Sequence, residues 1–221
     1  MNRNTITRFP ERGRESILKF GMYLAGCAVF SAGAYLFIYS QLGTDPLDVF
    51  SLGLLNHVPL TIGLAQTLVA IICLLLVAAW TWKRPLLSPL WTFFFCGSLI
   101  DLLRWIDAGQ WLPLPPMAIL LVGSVLCAYG SSLIIMSGFG IRAMDLLALV
   151  LGDRWGWPFW LGKGILEGVL LLSGYLMGGP VGVGTIAFFL VVDGTIQPLM
   201  WMNRHVLSLP HFVFAPVHCV K

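Results

Sequence analysis

Charge is what this chain has least of: Asp, Glu, Lys and Arg together make up 10% of its 221 residues. A soluble domain carries about 25%. Ten acidic and thirteen basic side chains cannot coat a globule of this size, which excludes a soluble globular domain. With 58% hydrophobic residues the chain is no disordered polymer, and it lacks the basic stripe of a nucleic-acid module. Cysteine is sparse as well. Cys27, Cys73, Cys96 and Cys127 lie in apolar runs and Cys219 near the end, with no pair at zinc or redox spacing. His57, His205, His211 and His218 form no helical ligand pair, so neither a metal nor a cofactor is expected. The glycine-rich run 178–184 lacks a phosphate-loop lysine and reads as a tight turn. No serine or cysteine nucleophile has an identifiable base beside it, and an enzyme is the least expected class.

What is present is apolar length. The mean hydropathy is +0.87. Spanning a bilayer takes about 20 mostly apolar residues, and runs that long or nearly so cover 17–40, 61–80, 86–105, 117–137, 157–177 and 185–202. Six spans place twelve of the thirteen lysines and arginines on the side of the N-terminus and leave only Arg104 opposite. By the positive-inside rule both termini are then cytoplasmic. Trp80, Trp82, Trp91, Trp105, Trp155 and Trp157 fall near span ends, as interfacial anchors do.

Shifting the sequence by 97 residues aligns it with itself without a gap. Leu24, Gly26, Gly33, Leu36, Ile38, Ser40, Gly43 and Asp48 meet identical residues, eight identities in the 28 positions 21–48. Matched glycine spacing and a matched aspartate point to duplication. Each half holds three spans, an odd number, so the two halves must run in opposite senses through the membrane. The expected fold is all-α: six transmembrane helices as two inverted three-helix repeats, each with an extra short helix or re-entrant segment. The parts are a cytoplasmic tail 1–16, a first repeat 17–110, a second repeat 111–204 and a cytoplasmic tail 205–221. Gly26 and Gly33 share one face of the first span, as Gly123 and Gly130 do on the fourth. Small residues of this kind let two helices approach closely, here across the pseudo-twofold axis.

After each of these helices comes a segment too short to span, 46–56 and 143–153. Asp45-Pro46-Leu47-Asp48 reads as a helix start, with Asp45 as N-cap, Pro46 first and Asp48 in the first turn. The second copy keeps Asp145 and puts Arg142 where Asp45 stood. Gly43, Asp45 and Asp48 form one candidate gate, and Gly140, Arg142 and Asp145 the other, on opposite faces. Asp48 and Asp145 can also act as plain helix-start carboxylates.

The stretches Leu42-Gly43-Thr44-Asp45-Pro46-Leu47-Asp48, Phe139-Gly140-Ile141-Arg142-Ala143-Met144-Asp145 and Gly178-Gly179-Pro180-Val181-Gly182-Val183-Gly184-Thr185 resemble the YczE/YitT-type family of bacterial integral membrane proteins. One departure is Asp193-Gly194, where the family pattern has Gly-Pro. The resemblance implies a small multi-span protein of the bacterial cytoplasmic membrane and names no substrate.

Ionisable side chains at membrane depth are costly and mark functional sites. Asp193 lies centrally in the sixth span with no basic residue within a turn, which makes it the foremost candidate for a substrate or proton site. Lys163 and Glu167 are four apart and share a helix face; Asp101 and Arg104 are three apart and read as a surface pair, with Asp101 kept as a candidate. The expected function is a secondary transporter of a small polar or charged solute by alternating access. The rival readings are a substrate-binding membrane subunit of a larger uptake complex and a non-transporting scaffold. The expected partners are the lipid bilayer and a small molecule or ion, with a second copy or a partner subunit left open and no nucleic acid.

Overall fold

Apolar runs in a medium without water must satisfy every backbone group internally, and helices do so. The computed structural model describes residues 8–81, 88–140, 142–157, 159–207 and 209, and these hold no strand. In chain order the helices are α1 (Arg8–Ser40), α2 (Pro46–Leu55), α3 (Ile62–Thr81), α4 (Ser88–Trp105), α5 (Pro116–Ser137), α6 (Ala143–Trp155), α7 (Phe159–Leu176) and α8 (Val183–His205), the last with a π-helical turn at Phe188–Val192. A short 3-10 turn, Ala108–Trp111, precedes α5. The helix of the first span begins earlier than the 17 expected, at Arg8; Pro10 falls in its first turn, where a missing N–H costs nothing. The expectations for Arg3, Trp82, Lys83, Arg84, Ile141, His211, His218, Cys219 and Lys221 lie outside the described residues.

Glycine decides how closely α1 and α5 cross. A Cβ on Gly33 would come 2.6 Å from the Cys127 nitrogen, and one on Gly26 2.9 Å from the Ile134 nitrogen. Gly123 lies on Gly33, and Gly130 on Phe30 and Gly26. Each of these contacts has a counterpart 97 residues away with the two helices exchanged. The helix ends repeat as well. Ser40 Oγ donates to the Phe37 carbonyl at 2.7 Å and accepts from Leu42 N at 3.3 Å. Ser137 Oγ donates to Ile134 at 2.6 Å and accepts from Phe139 N at 3.2 Å. Around this crossing Tyr23, Cys27, Phe37, Ile100, Cys127, Phe188 and Val192 form the main core.

The other helices dock on that pair. α3 meets α4 where Gly63 faces Gly97, and α2 seats on α7 through Gly53 and Gly174. Loop contacts sort into two ends. At one end Gly184 N donates to Leu42 O, Gly109 N to Tyr35 Oη, and Asn56 Nδ2 to the Met177 and Gly178 carbonyls. At the other, Gly140 abuts Tyr23 and Thr92, and Trp80 stacks edge-on against Trp155. Glu15–Ser40, Ile62–Thr81, Pro116–Ser137 and Val183–His205 are each long and apolar enough to cross a membrane. α4 and α7, at 18 residues each, carry Asp101 with Arg104 and Lys163 with Glu167. Exposed Leu68, Ile72 and Leu75 on α3, and Val169, Leu172 and Leu176 on α7, turn apolar surface outward. Water would penalise such a surface and hydrocarbon does not. The chain is a membrane protein.

Candidate functional site: a buried ionic centre between the halves

The short helices begin with the residues that build the site. Asp45 caps α2 as its sequence predicts: its backbone is extended, its Oδ1 accepts from Asp48 N at 2.6 Å, and Pro46 follows at the first helical position. Asp48 therefore does not serve as the helix-start acceptor. It is 1% exposed and turns to α3, where its Oδ1 accepts from Gln66 Nε2 at 2.7 Å. Its Oδ2 is buried without a hydrogen-bond partner among the described residues, and so is Thr44 Oγ1. At α6 the cap residue is Arg142, which makes no side-chain cap. Its Nε reaches Asp145 Oδ2 at 3.2 Å, and the guanidinium lies over the Phe30 ring at 5.6 Å from its centroid.

α7 and α8 complete the centre. Lys163 Nζ lies 3.5 Å from Glu167 Oε1, the pairing within one helix that the spacing predicts. The shorter contact, 2.5 Å, goes to Asp193 Oδ1 on α8, so the aspartate expected to stand alone has a cation from a neighbouring helix. The π-helical turn Phe188–Val192 directly precedes Asp193. Pro198 follows within α8 and removes the N–H that would have closed the next turn. Such local departures from α geometry recur at functional positions. The charges of Asp45, Asp145, Glu167 and Asp193 all act on Arg142, and those of Arg142, Lys163 and Asp193 act on Asp45. Asp45, Arg142, Asp145, Lys163, Glu167 and Asp193 thus lie near enough to act on one another electrostatically, with Arg142 and Asp193 partly exposed.

The 97-residue offset runs through it. Asp48 corresponds to Asp145, Asp45 to Arg142, and Gln66 to Lys163. Gln66 is the member that reading the sequence missed. The signal was available, because extending the repeat past the short helix sets this amide, in an otherwise largely apolar span, opposite Lys163.

Asp101 does different work. Its two carboxylate oxygens accept from Ile62 N at 3.0 Å and Gly63 N at 2.8 Å, capping α3 from a neighbouring helix. The expected surface pair with Arg104 does not form among the described residues; free N–H groups at a helix start hold a carboxylate better than an exposed guanidinium does. Of the gate glycines, Gly43 has φ +105° and sits against Gly182 and Thr185, while Gly140 sits against Thr92 and Tyr23. A separate cavity of about 560 Å³ opens where α1 and α4 end and α5 begins, lined by Tyr35, Tyr39, Arg104 and Asp107 among others. No group of three or more His, Cys, Asp or Glu among the described residues is arranged to hold a metal ion.

Comparison with known proteins agrees with the resemblance seen in the motifs. Residues 17–200 match the model of a family described as "Family of unknown function (DUF6198)", and the chain belongs to it. It is 28% identical over 195 residues to a Bacillus subtilis protein named "Uncharacterized protein YyaS", covering 86% of this chain and 97% of the relative. It is 27% identical over 175 residues to the "Uncharacterized membrane protein YczE" of the same organism, covering 78% and 81%. A Haemophilus influenzae protein is 26% identical over 208 residues, 90% of this chain and 87% of that one. No solved structure matches.

Proposed function

We propose that this DUF6198 chain is a secondary carrier that moves a small polar or charged solute across the bacterial cytoplasmic membrane by alternating access, with no enzymatic step. In this reading α1, α3, α4, α5, α7 and α8 cross the membrane as two inverted repeats, with α2 and α6 as short helices beside them and both termini cytoplasmic. The repeated Ser40 and Ser137 hydrogen bonds, the exchanged glycine contacts and the two-ended grouping of loops support it. The single observation that carries it is the buried centre of Arg142, Asp145, Lys163, Glu167 and Asp193, since charges are retained at this depth for function. Repeat carriers hold their site near the midplane, where the halves meet. Lys163, Glu167 and Asp193 are then the solute site, and the segments around Gly43–Asp48 and Gly140–Asp145 line the two gates.

The test is a solute screen on purified protein in proteoliposomes. Uptake that responds to an imposed ion gradient, and that is lost in Asp193→Asn with the protein still folded, is the expected result. Absence of uptake for every solute class, with the ionic centre intact, would sink the carrier reading.

One observation favours the rival in which the chain is the membrane subunit of a larger complex. Gly164 and Gly168 lie one turn apart on α7, and a Cβ on either would meet nothing within 4 Å. Small residues at this spacing form helix–helix contacts in membranes. Copurification of an ATP-hydrolysing partner, lost on Gly168→Leu, would favour that reading.

A further inference from the structure

At three equivalent positions the two parts of the ionic centre differ in charge. In the second half, Asp145 is accompanied by Arg142 at 3.2 Å, and Lys163 serves Glu167 and Asp193. In the first half the positions of Arg142 and Lys163 are taken by Asp45 and Gln66. A carboxylate and a neutral amide thus stand where the other half has two cations. Across the whole centre five carboxylates, Asp45, Asp48, Asp145, Glu167 and Asp193, share two basic side chains. Both of those are in contact with acids of the second half. Asp48 makes no ion pair among the described residues; the one side chain that serves it is neutral Gln66, and its second oxygen is buried with no partner. A buried carboxylate oxygen left bare costs the full desolvation of the group.

We propose that the Asp45–Asp48 turn of α2, closed by Gln66 of α3, is a binding site for a monovalent cation, either sodium or a proton. Asp48 is the principal ligand through its free oxygen. Asp45, the cap of the same turn, supplies the second negative charge. The hydroxyl of Thr44, buried and unpartnered in the preceding residue, is a further oxygen ligand for sodium. The groups around Asp48 leave that role open. On its own turn lies Asp45; α4 presents Asp101, whose oxygens cap α3, and Arg104, too distant for an ion pair. α3 presents Gln66. Asp45 also feels Arg142 of the α6 cap, Lys163 of α7 and Asp193 of α8, and both of these cations are in contact with other acids. The proposal deepens the carrier reading, on which only the word "coupling" rests: in a carrier this cation would be the coupling ion.

The test uses the wild-type protein in detergent. A hydrophobic carbodiimide, which modifies protonated carboxyl groups in apolar surroundings, is applied over a range of pH with and without sodium chloride, and modified peptides are mapped by mass spectrometry. The expected result is modification at Asp48. Protection by sodium and not by choline identifies a sodium site, and protection by raised pH alone identifies a proton site. Asp48 unmodified at every pH, or modified with no effect of either sodium or pH, overturns the proposal. If sodium protects, equilibrium binding of radioactive sodium should weaken by roughly tenfold or more in Asp48→Asn, the loss of one charged ligand. It should stay unchanged in Asp107→Asn, which alters an exposed loop. Neither measurement reads transport. Labelling without uptake would therefore leave the cation site standing and remove the carrier reading, and uptake without labelling would do the reverse.

Discussion

At the residue scale, Lys163 is the pivot of the ionic centre because it alone among the described residues serves two acids from two helices. Removing one member of a buried pair leaves the other charge uncompensated, at about 3–5 kcal/mol in the severe cases. Lys163→Gln strands both Glu167 and Asp193, whereas Asp193→Asn leaves Lys163 with Glu167 at 3.5 Å. Thermal unfolding in detergent should therefore show the larger loss for Lys163→Gln. The double substitution should recover part of it, since residues in contact couple by about 0.5–3 kcal/mol. Equal losses that simply add would mean that the three groups do not act together. Sequence reading found Lys163, Glu167 and Asp193 because charges in apolar spans stand out. It could pair only residues close in sequence, so it joined Lys163 to Glu167 and missed Asp193, thirty positions on. The same limit joined Asp101 to Arg104 instead of to the start of α3.

At the element scale, the α1–α5 crossing depends on the absence of side chains. Gly33→Ala would drive a methyl group to 2.6 Å from the backbone nitrogen of Cys127, where neither helix can yield without separating. Overpacking of this kind costs about 1–3 kcal/mol. Gly164→Ala meets open space and should be neutral within about 0.5 kcal/mol, as substitutions away from packed features are. Unfolding of the two variants side by side checks the contrast; equal stability would remove the glycine crossing as the axis of the fold. Heptad glycines and the Asp-Pro start of α2 were legible because each has one strong local cause, close approach in one case and a cap in the other. The π-helical turn before Asp193 was not, since its residues are ordinary apolar ones and nothing local distinguishes them from α-helix.

At the scale of the whole molecule, alternating access of the proposed kind requires the two halves to run in opposite senses through the membrane. Exposed Gln41 follows α1 and exposed Phe139 follows α5, near equivalent positions of the repeat and at opposite ends of the helix bundle. Duplication was inferred from glycine spacing, and three apolar runs in each half led to the expected inversion. Which charges of the two halves converge was not legible, because that depends on how α2 and α6 fold back beside the long helices. The most direct measurement is side-specific labelling in whole cells of Gln41→Cys and Phe139→Cys, each in a background without the native cysteines. A membrane-impermeant thiol reagent added outside should label the first and not the second, and opening the cells should expose the second. Labelling of both from the same side would contradict the inverted arrangement and the carrier mechanism built on it.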